Sequence, residues 1–119
     1  MADVSEFREK IAKILSQDYK VTFLGENFNQ IVSLLTESKS SKIYTWVEGV
    51  VNRKIQPIVI GSKKKYKKYS LSELLTFRYA FVISNTEYRI LLVKVKNAIY
   101  IEFHLGDHKY YDKVRRDLT

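Results

Sequence analysis

The stretch from Ile99 to Leu105 constrains this chain most. Ile99, Ile101, Phe103 and Leu105 alternate there with Tyr100, Glu102 and His104. A period of two residues sorts these sets onto opposite faces of a strand, so one face meets a core and the other is open. The residues before it repeat the pattern, and strands are predicted at about 76–83, 87–96 and 98–105. Ser84-Asn85-Thr86 supplies the first connection, and the second is built around Asn97, a residue that tolerates positive φ in a tight hairpin. Three consecutive strands with connections this short form an antiparallel meander.

Upstream the period changes to that of helices. Val4, Phe7, Ile11 and Ile14 recur at helical spacing within residues 3–17, with charged residues at most other positions. Tyr19 to Leu24 reads as a short strand ended by Gly25. Asn27 is placed to cap a second helix bearing Phe28, Ile31, Val32 and Leu35 on one face. Ser-Lys-Ser-Ser at 38–41 is expected to break it. A third helix then carries Ile43, Val47, Val50 and Val51, flanked by Tyr44 and Trp46, and stops by Pro57. Residues 58–75 read as a connection with one helical turn at Leu71–Leu75, and 109–117 as a short terminal helix after Gly106. The expected fold is α+β: a small antiparallel sheet, made of the N-terminal strand and the C-terminal meander, with a helical hairpin on one face and an extra N-terminal helix. The 119 residues suit a single domain, with 3–17 as the additional helix and 18–118 as its core.

Charge is distributed unevenly. The chain carries a formal +8, with Lys and Arg concentrated after residue 40. Between Arg53 and Lys68 there is no acidic residue. Such a field attracts nucleic acid, an acidic protein or an anionic surface. No apolar run approaches the ~18 residues of a membrane span. The N-terminus lacks the apolar segment of a secretory signal. With no cysteine in the chain, disulfides and thiolate metal sites are excluded, and a cytoplasmic setting is expected.

Several groups point to phosphate chemistry. Lys63, Lys64, Lys65, Lys67 and Lys68 surround Tyr66, a pattern suited to phosphate contact with stacking on unpaired bases. Arg78 and Arg89 fall within strands, where a guanidinium either pairs with Glu87 or Glu102 or clamps a phosphate. Both histidines, His104 and His108, lie at the end of the last strand and are candidate proton carriers. Of the adjacent Tyr110 and Tyr111, one is expected to pack and the other, taken as Tyr111, to meet substrate. Asp107 fits badly among these residues, because a carboxylate weakens phosphate binding. No metal-ligating set is evident, and no cofactor is expected.

The segments EYRILLVKV at 87–95 and AIYIEFHLGDHKYYDKV at 98–114 resemble the tyrosine–arginine strand, the following apolar strand and the terminal glycine, basic residue and tyrosine of the RelE/ParE toxin superfamily. The element order from about Tyr19 to Leu118 is similar to that family's as well. The resemblance implies a toxin neutralised by an antitoxin, here expected to be acidic. RelE-like members cut messenger RNA without metal, commonly on the ribosome, by attack of the 2′-hydroxyl on the neighbouring phosphate. ParE-like members share the fold and act on a protein target. The resemblance assigns Arg89 to the scissile phosphate, Lys65, Lys67 and Lys68 to the basic positions before the meander, and His108 and Tyr111 to the terminal positions. The leading expectation is therefore a metal-independent endoribonuclease. A ParE-like toxin, a non-catalytic RNA- or DNA-binding module and a basic subunit for an acidic partner are the alternatives.

Overall fold

The computed structural model describes residues 3–16, 19–61, 73–95 and 99–118. The lysines Lys63, Lys64, Lys65, Lys67 and Lys68 and the Asn97 turn lie outside them. The architecture is α+β, built on one five-stranded sheet with helices on both faces.

The meander forms as the alternation predicts. Strands β3 (Glu73–Ile83), β4 (Thr86–Val95) and β5 (Tyr100–Asp107) pair antiparallel in sequence order. Only Ser84 and Asn85 separate β3 from β4, with φ of 48° and 67°. Two successive positive φ values give the turn whose twist matches that of the flanking strands.

The described ends of the connection expected over 58–75 are strand. Ile58–Gly61 forms β2, which pairs antiparallel with β3, Ile58 opposite Thr76. The expected turn of helix at Leu71–Leu75 is not formed at its described end, because Leu74 and Leu75 already belong to β3. β-branched residues directly after Pro57 were the available signal for β2.

Strand β1 (Lys20–Leu24) lies beside β5 and runs parallel to it, which makes the sheet mixed, in the order β1-β5-β4-β3-β2. A parallel neighbour requires a long crossover, and the intervening helices and strands supply it. Gly25 permits the exit from β1. Its φ is +154°, and a Cβ there would lie 2.0 Å from the Leu105 carbonyl oxygen.

Three helices cover one face of the sheet. The first, α1 (Val4–Leu15), is capped by Asp3, whose carboxylate accepts from the Glu6 amide at 3.0 Å. It is no appendage. Phe7, Ile11 and Leu15 are fully buried, and the Phe7 ring meets Phe28, Tyr44 and Phe103 with centroid distances of 5.7–6.3 Å. The expected hairpin of the second and third helices is replaced by packing of α1 against α3, since α2 (Phe28–Ser33) is too short to pair along its length. Asn27 stands at the α2 N-cap position in a left-handed conformation, but its side chain makes no capping bond.

Helix α3 (Glu37–Val51) contains the Ser-Lys-Ser-Ser stretch instead of beginning after it. Thr36 is the reason: its hydroxyl accepts from the Lys39 amide at 3.2 Å and starts the helix early. Ile43, Trp46, Val47 and Val50 then pack onto the sheet residues Phe77, Tyr79, Phe81, Ile90, Leu92, Ile101, Phe103 and Leu105. Ile99, expected in that core, is 50% exposed because it precedes the strand at the end of the sheet.

The second face is only partly open. Helix α4 (His108–Leu118) lies against it, burying Tyr111 and Leu118 on Leu74, Leu91 and Val93. The run Ile90–Val93 is apolar on both faces, so a central strand covered on one side only would have left Leu91 and Val93 in water. None of the helices among the described residues is long and apolar enough to cross a membrane.

Candidate functional site

The uncovered part of the second face carries the polar chemistry. Across the sheet, Arg78, Leu91 and His104 form one row, and Ala80, Arg89 and Gly106 form the next. Arg89 is therefore the diagonal neighbour of both Arg78 and His104 on the central strand, a backbone spacing of about 7–8 Å. Its direct cross-strand neighbours, Ala80 and Gly106, carry almost no side chain. An open cavity of about 270 Å³ lies over Arg78, Ala80 and Arg89.

Helix α4 adds the residues that organise this corner. Tyr111 is buried, and the Arg89 guanidinium sits 4.7 Å from its ring centroid. The Arg115 guanidinium lies 5.9 Å from the same ring, and Arg78 Nη1 donates a long hydrogen bond of 3.4 Å to the phenol oxygen. One aromatic ring thus gathers three guanidinium groups, each attracted by its face or its oxygen. Glu87 accepts from Arg89 Nε at 2.8 Å. That bond, the largest influence, raises the Arg89 pKa above its ordinary value and keeps the group charged. Tyr111 was expected to meet substrate; instead it is a buried support under the arginines.

Beside the arginines, His104 is 7% exposed and engaged at both ring nitrogens. Nε2 lies 3.1 Å from Glu102 Oε1, and Nδ1 lies 2.8 Å from Tyr110 Oη. A carboxylate only accepts, so in the neutral ring Nε2 carries the hydrogen and Nδ1 receives the Tyr110 O–H. Burial, and then the charges of Glu102 and Glu26, raise the Tyr110 phenol above its ordinary range, so it stays protonated and donating at neutral pH. Tyr110, half-buried, is the tyrosine that reaches the surface.

Two residues make this geometry fit. A Cβ on Gly106 would fall 2.4 Å from Tyr110 Cδ2, so only glycine lets the ring lie across the strand. Gly106→Ala is expected to cost about 1–3 kcal/mol by overpacking and to break the Tyr110–His104 bond. Thermal unfolding and the His104 ring nitrogen resonances report both, and wild-type values in each would contradict this packing. Asp107, the apparent misfit, accepts from the Tyr110 amide at 2.9 Å and caps α4. Its charge is spent on the helix N-terminus, where it is favourable.

The structure brings Arg78, Arg89, His104 and Tyr111 to one face and sets His108 apart. His108 is exposed in the first turn of α4, with Nδ1 3.0 Å from Asp112 Oδ2 on the same helix. Tyr110, and not His108, shares a hydrogen bond with His104. Sequence reasoning also missed Arg115. The signal was present in the helical spacing of Tyr111, Arg115 and Leu118, which puts all three on one side of α4. Among the described residues no group of His, Asp or Glu is arranged to hold a metal ion. Compared with protein-family models, with curated proteins and with solved structures, the chain matches none.

Proposed function

We propose that the protein is an endoribonuclease that cleaves messenger RNA by attack of a 2′-hydroxyl on the adjacent phosphate, and that it acts as a toxin held in check by an acidic partner. The observation that carries this reading is the diagonal placement of Arg89 against the Glu102–His104–Tyr110 chain on one sheet face. Such a reaction needs phosphate binding and proton transfer, and groups suited to each stand side by side here.

In this reading Arg78, Arg89 and Arg115 receive the scissile phosphate and stabilise charge growing on its oxygens. Holding the 2′-hydroxyl in line supplies much of the rate by positioning. His104 is too buried to touch the nucleotide, so Tyr110 extends its reach. As the 2′-oxygen bonds to phosphorus, its proton passes to the Tyr110 oxygen while the Tyr110 proton moves to His104 Nδ1, and Glu102 balances the imidazolium. The bond to the 5′-oxygen breaks, that oxygen takes a proton from water, and the hydroxide left behind is neutralised by the proton that returns from His104 through Tyr110. The 2′-hydroxyl is the nucleophile, so DNA is not a substrate.

The test is messenger RNA incubated with the protein in EDTA, with and without ribosomes, followed by mapping of the ends. Cyclic phosphate and 5′-hydroxyl ends are expected. Tyr110→Phe should lower the cleavage rate by about 10²–10⁴-fold while RNA binding is retained. RNA bound with a steep salt dependence but never cut would replace this reading with a non-catalytic RNA-binding module.

A further inference from the structure

On the opposite face of the sheet, where α3 ends, a cleft of about 390 Å³ opens between the helix and the sheet. It shares no residue with the arginine site. Its floor includes Val50, Phe77 and Ile101, all buried apolar side chains, and among the described residues its lining contains Arg53 and Lys94 but no acidic residue. Lys94 Nζ is 5.1 Å from the Tyr19 ring centroid, which holds the ammonium at the cleft.

Arg53 stands where a different residue would serve the helix better. It follows the α3 C-cap with φ 60°, its amide donating to Val50 O at 3.2 Å and the Lys54 amide to Gly49 O at 2.9 Å. This is the left-handed helix ending at which glycine is usual, because a Cβ is strained there. A glycine would take this backbone conformation without strain, and what an arginine adds to the helix end is only the modest attraction of a cation to the C-terminal dipole. Its side chain does contribute a second cation to the cleft.

We propose that this cleft binds a medium-chain aliphatic carboxylate, with the carboxylate held by Arg53 and Lys94 and the chain lying on Val50, Phe77 and Ile101. The volume is near the lower end of small-molecule sites, about 300–1,000 Å³, which suits one short chain and not a whole lipid. Two cations above an apolar floor select against both neutral chains and short polar anions.

Calorimetric titration of the full chain with decanoate, decanol and acetate tests this. Decanoate is expected to bind at least tenfold more tightly than either of the others. Lys94→Gln and Arg53→Gly should each weaken decanoate at least fivefold. Arg53→Gly should also raise the melting temperature of the unliganded protein, which separates loss of the site from loss of the fold. Arg78→Gln, on the other face, should leave decanoate binding unchanged. Equal affinity for decanoate and decanol, no binding of decanoate, or an equal loss in Arg78→Gln would overturn the proposal.

Discussion

Replacing Arg89 by alanine is expected to lower RNA cleavage by about 10²–10³-fold, the usual cost of removing one preorganised donor from a developing oxyanion. Three features single out Arg89 from the other cations of this face. It lies on the central strand, in the row next to the one that holds both Arg78 and His104. It is oriented twice, by Glu87 at Nε and by the Tyr111 ring beneath its guanidinium. Its cross-strand neighbour Ala80 leaves space beside it for a phosphate, in the open cavity over Arg78, Ala80 and Arg89. Arg89→Lys should fail to restore the rate, because an ammonium cannot present the planar fork that the Glu87 bond holds in place. Single-turnover cleavage of a short RNA, with binding measured in parallel, gives the answer. A rate within threefold of wild type in Arg89→Ala would remove this residue from the reaction.

Phe7→Ala is expected to destabilise the fold by about 3–5 kcal/mol, the range for a large aromatic lost from a core. Single domains are stable by only about 5–15 kcal/mol, so a large part of the stability is at stake. Contacts, and not helix propensity, set this cost. Phe7 is fully buried and its ring touches Phe28, Tyr44 and Phe103, which belong to α2, α3 and β5. Removing the ring opens a cavity among three elements, none of which can collapse into it alone. Denaturant unfolding measures the loss, and a change below 1 kcal/mol would return α1 to the role of an appendage.

Much of the scaffold was legible because it is written in local periods. Ile101, Phe103 and Leu105 face the core as their alternation requires, and Phe7, Ile11 and Leu15 do so at helical spacing. Ser38–Ser41 misled because a serine-rich stretch is ambiguous until the capping bond from Thr36 is seen. The candidate site was legible in part. Arg78, Arg89 and His104 share a face by strand parity, and parity is a sequence property. The choice between Tyr110 and Tyr111 was not readable, since adjacent residues on a helix point about 100° apart and only the docking of α4 decides which is buried. Asp107 looked like a charge beside a phosphate site until its partner was known to be the Tyr110 amide.

By itself, then, the sequence determined the α+β class, the three-strand meander and the face on which Arg78, Arg89 and His104 stand, because side-chain alternation is set within each strand. Tertiary structure alone decided that β1 joins β5 in parallel and that α4 closes part of the second face. It also decided that Arg115 joins Arg78 and Arg89 around Tyr111, and that His104 is linked to Tyr110 and not to His108. These outcomes depend on which distant segments bury one another's apolar surface. That choice is made by the whole core and not by any one stretch of chain.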